Sequence, residues 1–127
     1  MTIQYYPGKI FETAKDGVCP ITYGCNTSLT VTTNNLAVTA VTGKRILVIG
    51  GSVYSNGAFT QITFRSGSGG SALKSYAIPA NTVATPNVNL CPNGILDGFE
   101  TETGIGLYVD NSAVIAIMSL AFITYTP

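Results

Sequence analysis

Four of the six carboxylates, the side chains in this sequence best suited to acid–base or metal chemistry, fall within one short stretch. They are Asp97, Glu100, Glu102 and Asp110. Two carboxylates that face each other across a cleft can hydrolyse a glycosidic bond, and several together with loop carbonyls can hold calcium. All four punctuate predicted turns, where acidic residues are common for conformational reasons. We therefore predict solvated turn residues, with a cation site as the alternative and catalysis disfavoured.

Histidine, the commonest general base and metal ligand, is absent from the sequence. The three cysteines, Cys19, Cys25 and Cys91, do not have the spacing of a zinc site. Their odd number argues against a closed disulfide framework. Cys19 and Cys25 could close the short loop between them, but reduced thiols are the prediction. We expect no catalytic residue, no metal and no cofactor, so the chain is not predicted to be an enzyme.

The composition predicts one domain that packs against other protein. The 127 residues are 46% hydrophobic, enough to bury roughly two-thirds of the unfolded surface. Charged residues make up only 9%, and six basic residues balance six acidic ones. Such a chain has little attraction for nucleic acid or an anionic membrane. The beginning of the sequence lacks the charged start and apolar run of a signal peptide, so we expect assembly inside a cell.

The element that organises the rest is the last predicted strand, Ala113–Tyr125. Its odd and even positions are both mostly apolar, and it carries no charge. Because successive side chains of a strand point to opposite faces, this strand must be covered on both sides. A buried helix is the competing interpretation, but the β-branched residues favour a strand. One face would line the core, and the other needs a second sheet, a neighbouring subunit, or both.

Turn signals separate the earlier strands. Asn34-Asn35 predicts a tight turn, and Gly50-Gly51 predicts a bulge or a bend inside the central strand Lys44–Tyr54. Asn56-Gly57 predicts a hairpin into Ala58–Arg65. Ser66–Ser71 predicts a flexible surface connection, because a phosphate-binding loop would need a following Lys-Ser/Thr and a helix.

Short strands are predicted throughout the rest of the chain, including one at Ile95–Phe99. Seven to nine such strands predict an all-β fold, a jelly-roll-like antiparallel β-sandwich over residues 29–127.

Residues 1–28 are predicted to be an irregular N-terminal segment because Pro and Gly interrupt them repeatedly. Their aromatic and aliphatic side chains are too numerous for a free tail. The segment is either a cap folded over one end of its own domain or an arm laid on a neighbouring subunit. Together with the last strand it supplies the candidate interface residues, which are Tyr5, Tyr6, Ile10, Phe11, Ile115, Ile117, Ile123 and Tyr125.

Five short motifs give the C-terminal two-thirds a resemblance to a known family. They are KRILV at 44–48, TQITFRSG at 60–67, GFET at 98–101, GIGL at 104–107 and NSAV at 111–114. The order resembles that of small β-sandwich virion proteins of tailed bacteriophages, which serve as capsid decoration, or cement, proteins. Arg65 stands where that pattern has lysine. No catalytic residues belong to the family.

The resemblance implies a structural protein on the capsid surface of a virion, assembled in the host cytoplasm. Its expected partners are further copies of itself, in a homotrimer, and the major capsid protein, but neither nucleic acid nor a membrane. The alternative is a trimeric tail-fibre knob that binds a receptor or carbohydrate. A decoration protein should bind capsids and ignore sugars, whereas a knob should bind cells or glycans.

Overall fold

Strands dominate the computed structural model, which describes residues 21–29, 34–55, 57–80, 88–112 and 116–127. No α-helix occurs among these residues, and one 3₁₀ turn spans Gly94–Asp97. The strands are β1 (Thr22–Leu29), β2 (Asn35–Val38), β3 (Arg45–Ser55), β4 (Thr60–Ser66), β5 (Ser71–Ile78), β6 (Val88–Asn89), β7 (Phe99–Glu100), β8 (Leu107–Asn111) and β9 (Ala116–Tyr125).

The strands form two antiparallel sheets. The first sheet has the order β1-β9-β3-β6, with β7 also paired to β3, and the second has the order β2-β8-β4-β5. The chain passes repeatedly from one sheet to the other, as it does between β1 and β2, between β2 and β3, and between β3 and β4. These crossings leave β3 and β9 side by side in the middle of the first sheet, although they lie far apart in sequence.

The core lies between the two sheets and is built from the inward side chains of each strand. Phe64 on β4 is fully buried, with its ring centroid 4.8 Å from that of Phe99 on β7 and 6.0 Å from that of Tyr76 on β5. Tyr76 also donates its hydroxyl to the carbonyl of Leu90 at 2.6 Å. Aromatic pairs at such separations stabilise a protein beyond the effect of burying their surface area. Phe64 therefore joins the sheets across the core.

The predicted all-β antiparallel sandwich is confirmed. The strand passages between sheets are the crossing connections that the irregular loop lengths indicated. The finer assignment as a jelly roll stays a prediction. The prediction that β4 has one buried and one solvent-exposed face is confirmed as well, because Ile62 and Phe64 are buried while Gln61 is exposed.

The first strand corrects the predicted boundary between residues 28 and 29. Thr22–Leu29 is β1, paired with β9 along its length, so the sandwich includes residues from Thr22 onward. Gly24 had indicated irregular chain, but it is paired with Leu120 of β9, and the register shift of β1 follows between Gly24 and Thr27. Residues 1–20 lie outside the described residues.

The prediction of a hairpin at Asn56-Gly57 is wrong. β3 ends at Ser55 and β4 begins at Thr60, but the two strands belong to different sheets and do not pair. The turn is instead built around the buried Ser55, whose hydroxyl accepts a hydrogen bond from the Gly57 N–H at 3.2 Å and donates one to the Ala58 carbonyl. Asn56 itself lies outside the described residues.

The stretch Ile95–Phe99 is a second correction, because only its last residue is in a strand. Gly94–Asp97 forms the 3₁₀ turn, which Gly94 enters at a φ of 62°. The Asp97 carboxylate accepts the backbone N–H of Asn93 at 2.8 Å and stabilises the turn. A local side-chain bond of this kind competes with strand formation.

Asn34 adopts a φ of 58°, the left-handed conformation that asparagine tolerates. Asn35 is already the first residue of β2, and residues 30–33 lie outside the described residues, so the tight turn itself stays a prediction. The β3–β9 register shifts between Val48 and Gly50, so β3 has a bulge at Ile49, directly beside the predicted position Gly50-Gly51.

Candidate functional site

The candidate site is the outward side of β3 and β9 in the first sheet, here called the outer face. Met118 and Leu120 of β9 point inward and are buried in the main core. The alternate positions, from Ile117 to Tyr125, point outward. β9 is therefore apolar on both sides, as predicted, and each side has a separate apolar environment.

One end of the outer face is closed within the chain. Leu47, Ile123 and Tyr125 form a second buried cluster there, with exposed fractions of 0%, 3% and 1%, and Ile49 and Ile95 pack against it. Leu47 is the register partner of Ile123 on β9 and of Glu100 on β7. We call this cluster the closed corner.

Hydrogen bonds and an ion pair stabilise the closed corner. The Tyr125 hydroxyl donates to the Glu100 carboxylate, which also pairs with the Arg45 guanidinium at 3.1 Å. Arg45 in addition donates to the Thr103 hydroxyl at 3.2 Å. Burial, followed by the neighbouring Glu100 carboxylate, raises the pKa of Tyr125 well above its ordinary value, so this phenol stays protonated at neutral pH.

Replacing Tyr125 by Phe is expected to lower the free energy of unfolding by about 1.5–3 kcal/mol, the usual contribution of a hydrogen bond to a charged acceptor. Because the phenol is protonated below about pH 10 in both folded and unfolded chains, the loss should be the same at pH 6 and pH 9. Urea unfolding at the two pH values measures it. Tyr108→Phe, on the second sheet, is the matched control, and an equal loss there would contradict the assigned bond.

The other end of the outer face is partly exposed and carries small or uncharged side chains. It comprises Gly50, Ser52 and Tyr54 on β3 and Ile117, Ser119 and Ala121 on β9. Ile117 is opposite Tyr54, and a Cβ on Gly50 would lie 3.5 Å from that of Ala121. Among the described outward positions of β3 and β9, charge is confined to Arg45, which is paired. We call this end the open half.

The predicted interface residues fall into three groups in the structure. Tyr5, Tyr6, Ile10, Phe11 and Ile115 lie outside the described residues. Ile117 lies in the open half with part of its surface exposed. Ile123 and Tyr125 are buried in the closed corner, so their own side chains offer almost no surface to another molecule.

Sequence reasoning missed Ser52, Tyr54 and Ala121 as members of the open half. The signal that could have identified the β3 residues was the Gly50-Gly51 bulge, because a bulge shifts the alternation of every later residue in its strand.

The four clustered carboxylates lie in separate local structures. Glu100 belongs to the closed corner, Asp97 caps the 3₁₀ turn, Glu102 is exposed, and Asp110 binds Arg65. Within the described ranges, no three metal-binding side chains come together. Asp97, Glu100 and Asp110 thus serve a turn and two ion pairs.

Asp110 connects three segments of the second sheet. Its carboxylate accepts the Asn34 backbone N–H at 2.9 Å and the Arg65 Nε–H at 2.7 Å. Arg65 also donates to the Gly70 carbonyl at 3.1 Å, and the Asn34 side chain accepts the Gly69 N–H at 3.1 Å. Burial alone would raise the pKa of Asp110, but the Asn34 bond and the Arg65 guanidinium outweigh it and lower that pKa.

Asp110→Asn is expected to cost about 1 kcal/mol at pH 7, since the pair is partly exposed. A depressed folded-state pKa stabilises the protein fully above the unfolded value of about 3.9. That contribution is lost as pH falls through the folded value. The difference from wild type should therefore persist down to about pH 5 and shrink below it, as measured by urea unfolding. Glu102→Gln is the control and should stay within about 0.5 kcal/mol; a pH-independent difference would contradict the linkage.

Cys91 is a buried free thiol. Its sulfur lies 3.9 Å from the Val48 carbonyl oxygen and 3.8 Å from that of Asp97. Burial raises the pKa of this thiol, an effect that Lys74 opposes and Asp97 reinforces, so the thiolate needed for nucleophilic chemistry is disfavoured. Cys19 and the side chain of Cys25 lie outside the described part, and the absence of a required disulfide stays a prediction.

Within the described part of the chain, no helix is long and apolar enough to span a membrane.

No protein-family model and no curated protein matches the chain. Among solved structures it is similar to a protein of Bacillus endospore appendages, described as a novel family of disulfide-linked pili. The identity is 11%, the match covers 84% of this chain and 91% of that chain, and the TM-score is 0.38. A likeness this distant carries no functional argument, so the proposals below stand on the geometry and on the sequence.

Proposed function

We propose that this chain is a structural virion protein, a capsid decoration or cement protein that acts as a homotrimer on the capsid surface and bridges major capsid subunits. The observation that supports this most is the open half of the outer face, a partly exposed and uncharged surface on the two central strands of a sheet. Charged groups lose solvation when they are buried at an interface, and this surface contains none at its described positions. It is suited to packing against protein.

The size of the outer face limits what it can do alone. A ten-residue strand is roughly 33 Å long and three strands are about 14 Å wide, so the whole face offers less than the roughly 800 Å² per partner of a standard interface. Neighbouring loops or strand edges must therefore contribute to any stable trimer. Threefold symmetry itself follows from the family resemblance and not from this surface.

The proposed mechanism is mechanical. Each copy would tie neighbouring capsid subunits together, so that internal pressure must break additional interfaces before the shell opens. Many copies with modest individual affinity strengthen a shell through multivalency. Because the chain has a formal net charge of zero, attachment should depend weakly on salt, which screens mainly exposed charges.

The test mixes the purified full chain with undecorated capsids of the phage that encodes it, at 50 mM and 500 mM salt, and pellets the particles. Co-sedimentation at both salts, together with a trimer mass by light scattering at micromolar concentration, is the expected result. Ile117→Asp should weaken association, whereas Leu96→Asp, at an exposed leucine on the 3₁₀ turn, should not. A stable monomer that does not sediment with capsids would overturn the proposal. Binding to host cells or glycans instead would identify the tail-fibre knob.

A further inference from the structure

Three large apolar side chains are exposed at one end of the sandwich, here called the loop end. The turns at 39–44, 66–70 and 101–106 form this end. The exposed side chains are Leu36 at 49%, Val41 at 41% and Ile105 at 36%. Exposed apolar side chains that gather in one place indicate a contact surface more strongly than scattered ones. The loop end is therefore a second surface, besides the open half, that is suited to binding protein.

A backbone hydrogen bond joins two of the turns. The Gly104 N–H donates to the Lys44 carbonyl at 2.7 Å. This bond brings the turn that holds Val41 against the turn that holds Ile105.

Leu36 and the 66–70 turn border the same segment. A Cβ on Gly106 would lie 3.6 Å from the Leu36 side chain, and a Cβ on Gly67 would lie 3.1 Å from the Ile105 side chain. The loop end is thus one surface that extends from β2 across all three turns.

Charge on the loop end is low and balanced. Its three turns contain two charged residues, Lys44 and Glu102, which have opposite signs. The open half has no charge at its described positions. Packing the loop end on the open half would therefore bring no net charge into the contact, and such surfaces do not repel each other.

A ring of three copies needs two different contact surfaces on each copy. An interface that uses the same surface twice closes a dimer, whereas a head-to-tail interface between two different surfaces generates a ring. The open half supplies one surface, which is smaller than a standard interface requires. Ring closure holds every copy through two interfaces, and the last one forms within an existing assembly. Each interface can therefore be smaller than one that holds a dimer alone.

The position of the loop end suits it to be the second surface. It adjoins the outer face, because Lys44 of the loop end directly precedes Arg45 of the closed corner. Copies that meet through adjoining sides turn around an axis, whereas copies that meet through opposite sides stack in an open line. The side opposite the outer face also carries the Arg65–Asp110 ion pair, which would lose solvation in an interface.

We propose that, in the homotrimer, the loop end of each copy packs on the open half of the next copy. Ile105 and its apolar neighbours then contact the surface that holds Tyr54 and Ile117. The occupant of each surface is thus a second copy of this chain. This contact rests on the homotrimer of the proposed function and assigns the two surfaces that form it.

Photo-crosslinking of the full chain tests this contact. The photo-reactive residue benzoylphenylalanine replaces Ile105, and unlabelled copies are exchanged with isotope-labelled copies before irradiation. Mass spectrometry then distinguishes crosslinks between copies from those within one copy. We expect crosslinks from position 105 to peptides of the open half in another copy. The matched control has the photo-reactive residue in place of Leu96, which is 64% exposed on the 3₁₀ turn, and should not form them.

A mixing experiment tests the two surfaces independently. Ile105→Asp impairs the loop end and leaves the open half intact, whereas Ile117→Asp does the reverse. Neither variant alone has a matching pair of intact surfaces, but a mixture does, since the loop end of one variant meets the open half of the other. Light scattering should show a mixed dimer whose apparent Kd is at least about tenfold below that of either variant alone.

Two results would overturn this contact while leaving the homotrimer in place. They are crosslinks from position 105 to the loop end of another copy, and a mixture that associates no more tightly than its components. A monomeric wild-type chain would overturn both this contact and the proposed function. Circular dichroism monitors folding, and the crosslinking result decides even where an aspartate variant does not fold, because benzoylphenylalanine keeps the loop end apolar.

Discussion

Replacing Ile123 by Asp should unfold the protein or lower its free energy of unfolding by about 4 kcal/mol or more. Ile123 is 3% exposed in the closed corner, opposite Leu47 and next to Tyr125. The substitution removes a large buried side chain, a change that costs about 2–5 kcal/mol by itself. It also places a carboxylate near Arg45, which is already bonded to Glu100, so the new charge gains no partner there among the described residues. A burial of unpaired charge adds several kcal/mol, out of a total stability of about 5–15 kcal/mol.

Ile117→Asp is the matched control, because it makes the same change on the same strand and the same face. Ile117 is partly exposed, so the new carboxylate can stay hydrated and the loss should be about 1 kcal/mol. Urea unfolding followed by circular dichroism, at protein concentrations low enough to exclude association, compares the two variants. Equal destabilisation would show that the outer face is not divided into a closed corner and an open half.

Period-two patterns explain why much of this fold could be predicted. The alternation of Ile62 and Phe64 with Gln61 gave the one-sided burial of β4, and the two-sided apolarity of the last strand gave its central place. Both signals are local, because the strand geometry alone sends alternate side chains to opposite faces. The positive φ of Asn34 and a bulge beside Gly50-Gly51 were equally visible, since each follows from the conformational range of the residue itself.

Which strands pair with each other could not be predicted from such local patterns. Asn56-Gly57 favours a hairpin locally, yet β3 pairs with β9 and β4 with β8 and β5. Burial of the large apolar side chains of β9 outweighs the short-range turn preference, because tertiary packing decides whether a marginal local preference is realised.

The candidate site shows the same limit. One end of the outer face is closed because the 3₁₀ turn and β7 bring Ile95 and Glu100 to β3. The sequence pattern of that region indicated a strand at Ile95–Phe99 instead. Ile123 and Tyr125 were predicted as interface residues because they are apolar, and in the structure their side chains pack within the chain itself.

Gly51, just after the bulge in β3, is a backbone position on which the candidate site depends. Gly51 has a φ of 132°, and a Cβ there would lie 2.3 Å from the Ser119 carbonyl oxygen of β9. Gly50, its neighbour, would place a Cβ at an ordinary 3.5 Å from Ala121. The bulge also sets which side chains face outward, since a shift by one residue moves Ser52 and Tyr54 to the opposite face.

Gly51→Ala is accordingly expected to lower the free energy of unfolding by about 3 kcal/mol or more. Holding a non-glycine residue in such a conformation costs about 1–3 kcal/mol, and the contact with a backbone oxygen adds to this because β3 and β9 must separate to relieve it. Gly50→Ala should be neutral or stabilising by up to about 1 kcal/mol, since alanine orders with less loss of entropy. Thermal and urea unfolding of the two variants measure the difference. If they proved equally stable, the bulge would not hold β3 against β9, and the open half would lose the register on which its composition depends.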